Sequence, residues 1–231
     1  MDSISFKVVD FAIQLAAILF AISFHESAHA WTALRFGDTT AKDLGRISLN
    51  PIRHIDPIGS IVLPILLYFT SGLIFGYAKP TPVRLDRTKN PRLADLCVSA
   101  AGPLSNLLLA AVGLAARVGF KSMFPQSLPE LFEALRGHRF AAGAVAPLTY
   151  LLFQFVIVNI SLGVFNLIPI PPLDGSWVLA AILGPSTRHF FETLGRFGFL
   201  ILILLSSSGI LGRIMSPVLR VFFLIIGRVL Q

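Results

Sequence analysis

The chain alternates long apolar runs with short polar or proline- and glycine-rich stretches. The runs lie at 8–36, 57–76, 93–117, 144–168, about 188–207 and 210–230. A helix needs about 20 apolar residues to cross the hydrocarbon core of a bilayer, so each run predicts a membrane segment. The main polar stretches are 37–56, 79–92 and an outer loop from 117 to about 139. None is long enough for a separate soluble domain, and no internal repeat is present. The expectation is one membrane-embedded domain over 1–231, with a core at about 8–185 and C-terminal helices at about 188–230. The first run invites comparison with a signal peptide, because Ala28-His29-Ala30 fits a small-x-small cleavage site. Only Lys7 precedes it as a basic residue, however, and apolar character resumes at Trp31, Ala33 and Leu34. A retained first helix is the favoured reading.

Composition supports the membrane reading. Of 231 residues, 55% are hydrophobic and 13% are charged, against about 25% charged in a soluble domain. Mean hydropathy is +0.77. These values exclude a disordered tail, a disulfide scaffold and an ordinary water-soluble enzyme. The net charge of +7 would suggest nucleic acid if the basic residues formed a stripe. They are scattered between apolar runs instead, as at membrane flanks, so a lipid bilayer is expected as the surroundings and no nucleic-acid partner. With Cys97 as the only cysteine, no intrachain disulfide can form.

Chemistry concentrates in a few polar residues inside the apolar runs. The first run contains His25-Glu26-Ser27-Ala28-His29, an H-E-x-x-H pattern. A spacing of four on a helix puts both imidazoles on one face, where they can hold one Zn²⁺ while Glu26 turns toward the attacking water. Two histidines and a glutamate inside a membrane helix are costly without partners. A catalytic zinc site usually has three protein ligands. His54, Asp56, His138 and His189 are candidates for the third. Asp174 is the best one, because it follows Pro169, Pro171 and Pro172 at the broken end of an apolar run. Exposed backbone at membrane depth is tolerated where it lines a cavity. Ser23, Ser27 and Thr32 are candidate linings for a water path, although such hydroxyls more often bond their own backbone.

Three motifs occur in order: the H-E-x-x-H, Ala101-Gly102-Pro103-Leu104-Ser105-Asn106, and the stretch from Asn166 to Asp174-Gly175. Together they resemble the site-2 protease family of intramembrane zinc metalloproteases, and more narrowly its compact prokaryotic members without a PDZ domain. The resemblance covers about residues 20–185. It implies one Zn²⁺ per chain on His25, His29 and Asp174, with Glu26 activating water. It also implies substrate- or oxyanion-positioning roles for Asn106 and Asn166. Many members follow the Asp-Gly with a second glycine, where this chain has Ser176.

Helix direction constrains the topology. His25 and His29 lie toward the C-terminal end of segment 8–36, and Asp174 lies just past the end of 144–168. For all three to meet, those helices must run the same way, with one crossing between them. Two candidates intervene, so one should not span. Segment 57–76 opens with Asp56-Pro57-Ile58-Gly59, contains Pro64 and Gly72, and runs into Lys79-Pro80. Residues 57–84 are therefore expected to form a re-entrant or membrane-surface element beside the site, guiding an extended substrate strand; a plain membrane helix is the alternative. The fold expected is an all-α polytopic membrane protein with about five to six membrane helices.

With that topology, stretches 37–56 and 79–92 share a side with the flanking Arg35, giving nine basic residues against four at 117–142. The positive-inside rule puts the metal-binding end toward the cytoplasm, in what the resemblance implies is a prokaryotic cytoplasmic membrane. The function expected is hydrolysis of peptide bonds in single-span or membrane-anchored substrates, with regulation by a membrane partner or by substrate supply. A metal-handling transporter using the same residues is the alternative. It would not need Glu26 beside a ligand.

Overall fold

A computed structural model describes residues 3–71, 74, 76–137 and 144–230. Helix α1 (Ser3–Arg35) and the short α2 (Thr40–Asp43) are followed by a 3-10 turn at Pro51–Arg53. A π-helical turn, Pro57–Val62, leads into α3 (Leu63–Ser71), and a return stretch reaches α4 (Pro91–Met123). The remaining helices are α5 (Ser127–Arg136), α6 (Val145–Asn166), α7 (Asp174–Leu183), α8 (Pro185–Gly195), α9 (Gly198–Ser207) and α10 (Ile210–Leu230). Local sequence explains several starts. Asn90 accepts from the Leu93 amide ahead of Pro91, and Asp56 accepts from the Ile58 and Gly59 amides ahead of Pro57. Each is a side-chain cap followed by a proline that has no amide to leave orphaned.

Among the described residues, three helices are long and apolar enough to cross a membrane: Ile4–Arg35, Pro91–Met123 and Val145–Asn166. The pair α8–α9, bent by 79°, would bring the number to four. The expected count is six if 57–76 spans and five, with 210–230 included, if it does not. Segment 57–76 holds a 14-residue helical stretch, Pro57–Thr70, about 21 Å long at the usual rise, too short for a core of about 30 Å.

That stretch turns back on itself. Ile55 and Ala78 form an antiparallel bridge, and the amides of Tyr77 and Lys79 donate to the carbonyls of Gly59 and His54. The two ends of the excursion therefore lie side by side, as one crossing between α1 and α6 requires. Its inner part runs along α1 to Tyr68, whose hydroxyl donates to Asp10 and whose ring packs on Phe11.

The three long helices pack through rows of residues spaced by four. On α1 the row is Ala17, Ala21, His25, His29 and Ala33; on α4 it is Ala94, Val98, Gly102, Asn106 and Ala110, all buried. Small side chains let helix backbones approach closely, as is usual inside a bilayer. His29 meets Val98, His25 and His29 meet Gly102, and Ala21 meets Asn106. The numbers fall on one helix as they rise on the other, so α1 and α4 are antiparallel. The same holds for α4 and α6, where Pro103 and Leu107 face Gly163 while Gly113 faces Phe155 and Val156. Helices α1 and α6 thus run in the same direction and bring His25, His29 and the chain beyond Asn166 to one end of the bundle.

At the other end, Phe6, Leu131, Ala134, Ala146 and Tyr150 form an apolar cluster joining α1, α5 and α6. Arg117 of α4, counted above with the outer loop, is 1% exposed, and among the described residues none of its guanidinium nitrogens has a hydrogen-bond partner. Arg139, from the same count, lies outside the described residues.

Candidate metal centre

The two histidines face the same point because they stand one turn apart on the buried row of α1. Asp174 reaches that point from the first turn of α7. Its helix starts there because three prolines upstream prevent α6 from continuing, and a carboxylate in a first turn is favoured by the helix dipole. Gly175 admits this close packing: a Cβ there would lie 2.2 Å from the Leu167 carbonyl oxygen. Ser176 is fully buried, and its hydroxyl donates to the Leu173 carbonyl at 2.7 Å. Arg92 of α4 ties the far end of α7 by donating to the carbonyls of Ala181 and Ile182 at 2.7 and 2.6 Å.

His25 Nε2 and His29 Nε2 lie 3.0 and 3.4 Å from Asp174 Oδ2. One ligand atom from each of the three residues lies within 4.8 Å of the others. The surroundings fix the imidazole tautomers. His29 Nδ1 lies 2.7 Å from the Val98 carbonyl oxygen, which can only accept, so Nδ1 carries the proton. His25 Nδ1 lies 2.7 Å from Asn106 Oδ1. The Asn106 amide is oriented in turn, since its Nδ2 donates to the Ala21 carbonyl and to Asn159 Oδ1. Asn159 is oriented by donating to the Phe155 carbonyl. With both Nδ1 atoms protonated, the neutral form of each ring presents its Nε2 lone pair toward Asp174.

Against neutral rings, these short contacts of the Asp174 carboxylate would set its Oδ2 lone pairs against those of the two nitrogens. A cation at their centre removes that repulsion. Two imidazole nitrogens and one carboxylate oxygen, with room for a fourth ligand, suit zinc. Gly102 permits the arrangement, because a Cβ there would lie 2.4 Å from His29 Nε2 and 2.6 Å from His25 Cε1.

A cavity of about 610 Å³ opens on the three ligands and is lined also by Glu26, Thr81, Asp95, Ser99, Asn166, Trp177 and Arg188. Asn166, at the last turn of α6, donates to the Leu162 carbonyl at 3.0 Å. Its amide has a second N–H and an oxygen left for the cavity. Asn106 is placed differently from the substrate contact expected of it. It is fully buried and its amide is committed to Ala21, Asn159 and His25. The other third-ligand candidates lie elsewhere. His54 is buried, with Nε2 2.7 Å from the Ser48 carbonyl oxygen; Asp56 caps the π-helical turn; His189 is exposed on α8. His138 lies outside the described residues. Ser23 and Ser27, candidates for a water path, donate to the carbonyls of Leu19 and Ser48.

The residues that sequence reasoning missed are Gly102, Asn159 and the Val98 carbonyl. Only Gly102 left a signal. It stands four before Asn106, on the same face of α4.

The sequence profile of "Peptidase family M50" matches residues 13–205. The chain is 35% identical over 190 residues to "Putative zinc metalloprotease YwhC" of Bacillus subtilis, covering 80% of this chain and 76% of that protein. It is 30% identical over 193 residues to "Putative zinc metalloprotease Rip2" of Mycolicibacterium smegmatis, covering 84% and 66%. With the protein of the same name from Mycobacterium tuberculosis H37Rv it shares 32% over 194 residues, covering 84% and 66%. No solved structure matches the chain.

Proposed function

The chain belongs to peptidase family M50 and is a multi-pass membrane zinc metalloprotease, and on that premise we propose that it cleaves single-span or membrane-anchored proteins with Glu26 as general base. The observation that carries this reading is the convergence of His25, His29 and Asp174 on one point, next to Glu26 and inside a cavity. Zn²⁺ held by these three residues would supply Lewis acidity, lowering the pKa of a water and polarising the scissile carbonyl.

The protein's own groups do the rest. Glu26, one residue from a ligand and facing the same cavity, takes the proton from the attacking water and returns it to the leaving amine. The second N–H of Asn166 is available to the substrate backbone or to the oxyanion. Asn106 we assign to orienting His25, in place of the substrate contact that the resemblance implied. A substrate helix has its carbonyls already bonded, so it must unwind locally to present one. The extended stretch 79–84 flanks the cavity where such a strand would lie.

We place the metal end toward the cytoplasm. The stretches on its side carry most of the basic residues, and the burial of Arg117 removes one from the opposite count.

The test is zinc analysis together with cleavage of a single-span substrate by purified protein. Wild type should cleave and hold one zinc per chain. Glu26→Gln should hold zinc and not cleave. Proteolysis retained in Glu26→Gln would defeat the mechanism, and absence of cleavage by wild type across single-span substrates would favour metal handling.

A further inference from the structure

Thr81 stands between Pro80 and Pro82. Proline has no N–H, so of these three residues only Thr81 has a backbone donor. That donor is aimed at Glu26: the Thr81 amide donates to Glu26 Oε2 at 2.8 Å, and the Thr81 hydroxyl donates to the Glu26 carbonyl oxygen at 3.1 Å. One residue therefore holds Glu26 by both its side chain and its main chain. Among the described residues no other hydrogen bond reaches the Glu26 carboxylate, so Oε1 is left without one, and Glu26 lines the cavity.

The segment that carries Thr81 is itself pinned on either side. Upstream, the Lys79 amide donates to the His54 carbonyl at 2.9 Å, and Ala78 bridges Ile55. Downstream, the Arg84 amide donates to Asp38 Oδ2 at 2.6 Å. Asp38 is fully buried and also accepts from the Thr40 amide and hydroxyl. The donor thus comes from a fixed piece of chain, and the two prolines restrict φ on both sides of it.

We propose that Thr81 is the positioning residue of the general base: its amide fixes one carboxylate oxygen of Glu26 so that the other faces the reacting water. This rests on the assignment of Glu26 as base. It gives the re-entrant element a second task besides flanking the substrate, and it explains why a lone threonine interrupts a proline pair there.

The test compares full-length wild type, T81S, T81V and T81P in proteoliposomes with a single-span substrate, reading kcat, KM and zinc content. An amide-to-ester form of T81V, made by incorporating α-hydroxyvaline at 81, keeps the T81V side chain and puts an oxygen in place of the backbone N–H. T81S should stay within about twofold of wild type. The ester should show kcat lower than T81V by on the order of tenfold to hundredfold, as expected when a reacting group loses its orientation, with KM within about twofold and zinc retained. T81P, which also lacks the N–H, should follow the ester. An ester form equal to or faster than T81V, or one whose defect is a raised KM or lost zinc, would overturn the proposal. Glu26→Gln run alongside separates the two claims. If it is inactive while the ester is fully active, only the Thr81 proposal falls; if it cleaves, the base assignment falls and Thr81 with it.

Discussion

The two ends of the three-helix bundle handle polar groups in opposite ways. At the metal end, a chain of oriented amides runs from the Phe155 carbonyl through Asn159 and Asn106 to His25. Every link fixes the next, and the last link is a lone pair facing a cavity. At the other end, Asp10 accepts from Tyr68, Tyr150 and Gln14, closing a network that ties the re-entrant element to α1 and α6. Nearer that end, Arg117 is buried with no hydrogen-bond partner among the described residues. A polar side chain inside a membrane bundle is expensive. At one end that cost yields geometry at a reacting centre, whereas at the other it yields a tie between helices and one charge left unpaired among the described residues.

The comparison breaks most visibly through the ligands. Replacing His25, His29 or Asp174 with alanine should abolish both zinc binding and cleavage, measured by metal analysis and substrate gel assay, and chelation of wild type should do the same reversibly. Gly102→Ala comes next. Its new methyl would press on both imidazoles, so zinc occupancy should fall steeply while the protein still inserts and folds, as circular dichroism in detergent would report. Unchanged zinc content in that variant would mean that the ligand pocket yields more easily than the geometry allows.

Asn106→Ala leaves the His25 Nδ1 proton without its acceptor. Loss of such an outer partner weakens metal affinity by about 10- to 100-fold, and a competition titration with a zinc chelator would measure it. At the opposite end the sign reverses: Arg117→Met should raise stability by about 1–3 kcal/mol, read as resistance to denaturant, with zinc content and cleavage unchanged. A loss of stability there would show that the guanidinium is compensated after all.

The smallest effect concerns Asp38. Burial alone would raise its carboxyl, but bonds from the Arg84 and Thr40 amides and the Thr40 hydroxyl, with Arg87 nearby, hold it below the ordinary value of 3.8. A depressed folded value contributes stability that is complete above 3.8 and fades as pH falls through the lowered value. Hydrogen exchange of the Arg84 amide should therefore lose protection in that acid range, and Asp38→Asn should remove the pH dependence.

Much of this arrangement is legible in the sequence, for reasons that differ by residue. His25, Glu26 and His29 are readable because a spacing of four on one helix fixes their mutual geometry without reference to any neighbour. The direction of α6 and the re-entrance of 57–76 follow from parity, since Asp174 could not otherwise reach them. Asn106 was found and given another task, because a motif marks a residue without showing which way its amide turns. Asn159 and the Val98 carbonyl were missed because their roles exist only where α4 meets α6 and α1. The burial of Arg117 was missed for the related reason that a basic residue near the end of an apolar run looks like a membrane flank.

Zinc-edge X-ray absorption on purified wild type and Asp174→Ala tests the metal centre most directly. Wild type should show two imidazole nitrogens at about 2.0–2.1 Å with oxygen ligands at about 2.0–2.2 Å and no sulfur, and Asp174→Ala should lose the metal. A sulfur shell at about 2.3 Å, or an unaltered spectrum in Asp174→Ala, would contradict it.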